Sequence, residues 1–241
     1  MSMLLFYERP VALNRETHKR HKVKGPSDYK FAAKTNSVVL AGTEFFEAQK
    51  NYPIVFTRNN DAVVPVAVLG IRDQENLFVD SEGHWADAYL PAFVRRYPFV
   101  LANRPEDADQ LMICVEESAL NKRQGKALFT KEGEESDYLK RATEFMQQYH
   151  IHFQKTREFG QRLKDLGLLQ PMSARITLPG SSDEMVLGQF EVVNEQALRE
   201  LSPEDIHSLF DSGFLGWIYA HLISLSNFQQ LTRRVQAAAA A

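Results

Sequence analysis

The fold is decided by a stretch of strand and turn signals at residues 53–71, which reads PIVFTRNNDAVVPVAVLGI. Residues 54–57 form an apolar or β-branched run after Pro53, and residues 62–71 form a second run rich in valine. The Asn59-Asn60-Asp61 turn between them favours a hairpin, because Asn and Asp tolerate positive φ. After another polar turn at residues 73–76, Leu77-Phe78-Val79 completes a predicted antiparallel meander of three consecutive strands.

Shorter elements are predicted on both sides of this meander. Before it, residues 38–40 predict a short buried strand, and Thr43 is placed to cap a helix that carries Phe45, Phe46 and Ala48. After it, a short helix is expected at residues 92–96, followed by strands at 99–101 and 111–115.

The second half of the chain predicts mostly helices. Apolar residues spaced three and four apart between Ser136 and Gly167 indicate one long helix, in which Gly160 marks a kink or a close crossing. Strands at 174–178 and 185–193 flank a loop at 179–182. Asn194 and Ser202 are expected to cap two further helices, and residues 214–236 form one helix or two.

These elements predict an α+β fold with a mostly antiparallel mixed sheet, a long helix and a helical C-terminal region. The prediction is a single domain over residues 1–241. A division into a strand-rich subdomain, 1–133, and a helix-rich subdomain, 134–241, stays open, because no Pro/Gly/Ser-rich linker marks a boundary.

Composition excludes several classes of protein. The chain has 241 residues, 44% hydrophobic and 24% charged, with a net charge of -3, which is typical of a globular protein with a full core. The lone Cys114 lies in an apolar run, where an inert core residue is expected, and it forbids an intrachain disulfide. No signal peptide and no apolar segment of ~20 residues is recognised, so a soluble, cytoplasmic protein is expected and an integral membrane protein is not.

The segment from Arg9 to Lys24 is strongly basic. Such a segment could contact phosphate or an acidic partner, but it is also typical of a solvated surface. Nucleic-acid binding is not expected, because no aromatic residue alternates with the basic ones.

Chemical motifs are scarce. The chain has no GxGxxG, P-loop, HExxH, GxSxG or CxxC pattern, so no cofactor is predicted. No metal is predicted either, because His150 and His152 lie two residues apart on the long helix and point in different directions.

The densest collection of functional side chains lies at residues 76–99. The candidate ligand-binding residues are His84, Trp85, Tyr89, Arg95, Arg96 and Tyr97. Their rings and guanidinium groups suit an aromatic or acidic metabolite. The alternative is structural, with the aromatic rings in the core and the arginines paired within the chain. Arg95 is predicted to be buried and paired.

The same segment carries a resemblance to the SapC family of bacterial proteins. The matching residues are Pro53-Ile54-Val55-Phe56, Asn76-Leu77-Phe78-Val79, Trp85, Tyr89-Leu90-Pro91-Ala92-Phe93 and Arg95-Arg96-Tyr97-Pro98-Phe99, with Pro10-Val11-Ala12-Leu13, Glu44-Phe45 and Gly167-Leu168-Leu169 elsewhere. The family takes its name from surface-array-protein loci, and relatives are expected near TonB-dependent receptors in Gram-negative bacteria. The resemblance implies no reaction, cofactor or catalytic residue.

Three functions are therefore open. The first is a soluble cytoplasmic accessory protein with a protein partner, linked to surface-protein biogenesis or TonB-dependent uptake loci. The second is a small-molecule binding protein, and the third is a metal-independent enzyme of unrecognised type; both would use the Trp85 to Phe99 segment. A homo-oligomer is compatible with each of them.

Overall fold

Antiparallel sheets and a long helix make up the part of the chain that the structure, a computed structural model, describes: residues 4–103, 110–177 and 184–240. The strands are β1 (Pro10–Ala12), β2 (Lys22–Val23), β3 (Ser37–Val39), β4 (Ile54–Asn59), β5 (Ala62–Val68), β6 (Phe99–Asn103), β7 (Leu111–Glu116), β8 (Leu120–Asn121), β9 (Lys126–Ala127), β10 (Leu169–Thr177) and β11 (Glu184–Val193). The helices are α1 (Arg15–His18), α2 (Phe45–Ala48), α3 (Ala92–Arg95), α4 (Asp137–Asp165), α5 (Glu195–Arg199), α6 (Pro203–Asp211), α7 (Phe214–Ser224) and α8 (Phe228–Ala240). The predicted α+β class is confirmed.

The predicted hairpin is formed by β4 and β5. Its register runs from Ile54 opposite Ala67 to Asn59 opposite Ala62, which leaves a two-residue turn. Asn60 takes a φ of 54° in that turn, a conformation that asparagine adopts more readily than most residues. The hairpin prediction is confirmed.

The prediction of a third strand in the meander is wrong. Residues 77–79 form no strand, and Val79 makes an isolated bridge to Trp85 instead. The second neighbour of β5 is β3, with Val38 opposite Ala67. Because β3 occupies the free edge of β5, the chain after the hairpin has no edge to join there.

Strands from the second half of the chain extend the same sheet, whose order is β10-β11-β4-β5-β3. Glu191 of β11 lies opposite Phe56 of β4, and both Glu191 carboxylate oxygens accept hydrogen bonds from Arg58 at 2.9 Å. The two predicted strands are confirmed, although β10 begins earlier, at Leu169; the predicted loop at 179–182 lies outside the described residues. The sheet thus takes strands from both sides of the 133/134 boundary, and the division into subdomains stays a prediction.

The long helix α4 crosses the hairpin closely. Its N-cap is Ser136, whose hydroxyl accepts a hydrogen bond from the N–H of Leu139 at 3.2 Å, and Gly167 follows its end with a φ of 63°. A Cβ at Gly160 would lie 2.4 Å from the carbonyl oxygen of Val63. Gly160 therefore marks a close crossing, as one of the two sequence alternatives proposed.

Two smaller sheets complete the strand-rich part, with orders β1-β7-β6 and β8-β2-β9. The predicted strands at 99–101 and 111–115 are confirmed as β6 and β7. Cys114 is buried on β7, and burial raises the pKa of its thiol, which fits the expected inert core residue.

The C-terminal helices close the sheet. Asn194 caps α5 and Ser202 caps α6 as predicted, and residues 214–236 form two helices rather than one. On α7, His221 is fully buried: its Nε2 accepts a hydrogen bond from the N–H of Val193 at 3.0 Å, and its Nδ1 lies 2.7 Å from the carbonyl oxygen of Ile54. His221 therefore bridges β4 and β11. No helix among the described residues is long and apolar enough to cross a bilayer.

Candidate functional site

The first predicted site residue, His84, lies in a turn that begins at Asp80. One oxygen of the Asp80 carboxylate accepts hydrogen bonds from the N–H groups of Glu82 and His84, each at 2.9 Å. The other oxygen lies 3.2 Å from the His84 ring. The turn passes through Gly83 at a φ of 93°, and it leaves the imidazole of His84 exposed to solvent.

Trp85 is half-buried and anchored by its indole nitrogen. Its Nε1 donates a hydrogen bond to the hydroxyl of Tyr52 at 3.1 Å, and that hydroxyl donates to the carbonyl oxygen of Tyr89. Trp85 and His84 both line a groove of about 500 Å³ that also contains Arg234. The guanidinium of Arg234 stacks 4.2 Å from the centre of the Phe78 ring.

Tyr89 belongs to a buried hydrogen-bond network around Glu44. One oxygen of the Glu44 carboxylate accepts hydrogen bonds from the hydroxyl of Tyr89 at 2.9 Å and from the N–H of Ala92 at 2.7 Å. The other oxygen accepts from the N–H of Ala41 at 2.9 Å. Burial raises the pKa of Glu44, although these three hydrogen bonds oppose the shift.

The structure around Glu44 contradicts the prediction that Thr43 caps a helix. Thr43 is exposed and does not cap the helix: a 3₁₀ turn at Gly42–Glu44 precedes α2, and Ala41 is the residue before that turn. The tertiary role of Glu44 was missed, because its partners near Tyr89 are distant in sequence.

The prediction that Arg95 is buried is wrong. Arg95 is exposed, and its Nη2 donates a hydrogen bond to the hydroxyl of Tyr89 at 3.2 Å. Arg96 is the buried residue, 2% exposed, with its guanidinium 4.0 Å from the centre of the Phe93 ring. Because adjacent helical residues point about 100° apart, one of the two must face outward, and the core side of α3 falls to Arg96.

Tyr97 is half-buried and stacks on Phe31, with ring centres 4.3 Å apart and planes inclined by 17°. Burial raises the pKa of its hydroxyl. Tyr97, Arg95 and Arg96 line a pocket of about 230 Å³ against α4.

The six predicted residues therefore divide among three environments. His84 and Trp85 share the groove with Arg234, Tyr89 joins the Glu44 network, and the last three line the pocket against α4. The sequence placed them together because they are neighbours along the chain. Their role in ligand binding stays a prediction.

A second feature is a basic surface that the sequence showed only in part. The turns and strands around the sheet β8-β2-β9 bring residues of the basic N-terminal segment beside residues 122–131. We call the basic surface the set Lys19, Arg20, Lys22, Lys24, Lys122, Arg123, Lys126 and Lys131. The pairing of β2 with β8 and with β9 holds the two segments side by side. The Nζ of Lys22 also donates a hydrogen bond to the carbonyl oxygen of Arg123 at 3.3 Å.

The charges of the basic surface are largely uncompensated. Within the described residues none of its eight side chains forms an ion pair. At its border Glu134 pairs with Arg15, which lies outside the set, and Glu132 interacts electrostatically with Lys19, which belongs to it. Because the whole chain carries a net charge of -3, this surface is a strong local departure from the average.

No cluster of three potential metal ligands occurs in residues 4–103, 110–177 and 184–240. The side chains that the structure gathers are instead aromatic rings and cations. Chemically, such sets bind anions and rings.

Comparison with known proteins defines the class. The model of the SapC family matches residues 13–231, nearly the whole chain. The protein belongs to the SapC family. No curated protein and no solved structure matches the chain significantly.

Proposed function

We propose that this SapC protein is a cytoplasmic accessory protein that binds an acidic segment of a protein partner through its basic surface. The proposal places it in surface-protein biogenesis or TonB-dependent uptake loci, as family membership suggests. The observation that carries it is the set of eight basic side chains, none of them in an ion pair among the described residues, that two distant segments of the chain bring together.

The composition of the basic surface suits a flexible acidic partner. Six of its eight residues are lysines, which act as mobile point charges, whereas arginine is favoured where planar, bidentate recognition of a carboxylate or a phosphate matters. The aromatic ring within this part of the chain, Phe129, is buried and offers no platform for a nucleobase. A flexible segment rich in Asp and Glu complements such a surface without a fixed geometry.

The test is a titration of the full chain with a glutamate-rich peptide. Exchange of Lys122 and Lys126 for glutamate reverses two exposed charges of the basic surface, and we expect binding to weaken by at least about tenfold. The matched control exchanges Arg157 and Arg233 for glutamate, which changes the net charge equally on exposed helical positions outside the basic surface. The control is expected to bind like the wild type.

Salt and competing ligands complete the design. Peptide binding should weaken steeply as the salt concentration rises, because exposed charges are screened. Equal affinity of the two double variants would contradict the proposal. So would tighter binding of single-stranded DNA, or of vesicles containing phosphatidylglycerol, than of the peptide.

A further inference from the structure

The pocket between α3 and α4 combines cations with aromatic walls. Its volume is about 230 Å³, and it is lined by the arginines Arg95, Arg96 and Arg141 and by four aromatic residues. None of the lining residues is acidic. A pocket of this composition is electropositive and suits a flat, negatively charged ligand.

Arg95 is held in place at this pocket. Its guanidinium lies 5.7 Å from the centre of the Tyr89 ring and 5.4 Å from that of Phe145, within the range of cation–π attraction. The hydroxyl of Tyr89 accepts one of its hydrogen bonds, at 3.2 Å. Because a guanidinium has five N–H donors, Arg95 keeps donors for a ligand while its position is fixed.

Arg141 supplies a second cation from the opposite wall. It is exposed on α4, and within the described residues its side chain has no hydrogen bond and no ion pair. Tyr138 lies three residues before it and Phe145 four residues after it, so all three lie on one face of the helix. This face turns a cation and two rings toward the pocket.

We propose that this pocket binds an aromatic carboxylate, with the carboxylate between Arg95 and Arg141 and the ring against the aromatic walls. The pocket is smaller than the roughly 300–1,000 Å³ of sites for drug-sized ligands. The ligand is therefore a single ring that carries one carboxylate. The pocket shares no residue with the basic surface, so this proposal and the proposed function can fail separately.

The experiment is a calorimetric titration of the full chain with benzoate as the probe. Arg141→Gln removes the cation that has no structural partner, and we expect benzoate to bind at least about tenfold more weakly. Arg157→Gln is the matched control, because it removes another exposed arginine from the same helix outside the pocket. The control should bind benzoate like the wild type.

Two further probes separate the contributions of charge and ring. Benzamide has the ring without the charge, and cyclohexanecarboxylate has the charge without the aromatic face; both are expected to bind more weakly than benzoate. The absence of saturable benzoate binding to the wild type would overturn the proposal. Equal affinity of Arg141→Gln and wild type would overturn it too, and equal affinity for cyclohexanecarboxylate would overturn the aromatic assignment.

Discussion

His221 shows how one residue joins distant parts of this fold. Since the N–H of Val193 donates to Nε2, the imidazole is neutral and its Nδ1–H donates to the carbonyl oxygen of Ile54. Burial lowers the pKa of His221 to about 4. Between that value and the ordinary pKa near 6.5, the unfolded chain binds a proton that the folded chain does not, so stability decreases as the pH falls.

We therefore predict a pH-dependent loss of stability that depends on His221. As the pH falls from 7 to 4, this residue should cost up to about 3 kcal/mol of unfolding free energy. His221→Gln removes the titrating group and should flatten this part of the profile. Urea unfolding at several pH values measures the difference, and identical slopes for the two proteins would refute the assignment.

The raised pKa of Glu44 makes stability depend on pH in the opposite direction. Its raised pKa means that the folded state holds a proton more tightly, so its contribution to stability is largest at low pH and is lost as the pH rises through the raised pKa. Glu44→Gln places an amide NH₂ against backbone donors, and we expect a loss of about 1–3 kcal/mol at neutral pH. Glu47→Gln on α2, which follows Glu44 directly and where the carboxylate is exposed, should change stability by less than about 0.5 kcal/mol in the same urea titration.

For single residues, the sequence shows which side chains are available but does not predict well which of them are buried and which partners they contact. It identified an arginine pair but assigned burial to Arg95 rather than Arg96, because the phase of a one-turn helix depends on which side meets the core. Glu44 was equally hidden, since Tyr89 and Ala92 reach it only through tertiary folding.

At the scale of elements, the close crossing of α4 over the β4–β5 hairpin can be tested by substitution of Gly160. Gly160→Ala should gain up to ~1 kcal/mol of helix propensity but force a Cβ against the Val63 carbonyl oxygen, for a net loss of about 1–2 kcal/mol. Gly216→Ala is the comparison, because its Cβ would meet only the exposed ring of Phe46 at 3.2 Å. Thermal unfolding should show destabilisation at Gly160 and none at Gly216; the reverse order would contradict the close crossing.

Elements with local signals were predictable. The Asn60 turn, the Ser136 and Ser202 caps and Gly167 after the long helix all lie where the sequence placed them. The pairing of β3 with β5 and of β11 with β4 was not predicted, because strand order depends on contacts between residues far apart in sequence. The error at residues 77–79 has this origin.

At the scale of the whole molecule, the buried apolar residues form two cores. The main core runs from Phe6 to Val235, and a smaller core lies among β2, β6, β7 and α4. Val23 is fully buried in that smaller core, whereas its neighbours Lys22 and Lys24 carry charge at the surface. The fold thus presents a basic surface, of which the sequence alone showed only the part from Arg9 to Lys24.

The most direct test of the proposed function compares partners recovered from the protein's native cells. Tagged wild type, the Lys122/Lys126 glutamate variant and the Arg157/Arg233 glutamate control are purified at low salt, and bound proteins are quantified by mass spectrometry. We predict that the wild type and the control bind a near-stoichiometric amount of a protein with an acidic segment, and that the Lys122/Lys126 variant does not. This partner should be released at about 1 M salt, where the Debye length is only about 3 Å. Recovery of the same partner in the same amount with the Lys122/Lys126 variant would contradict the account.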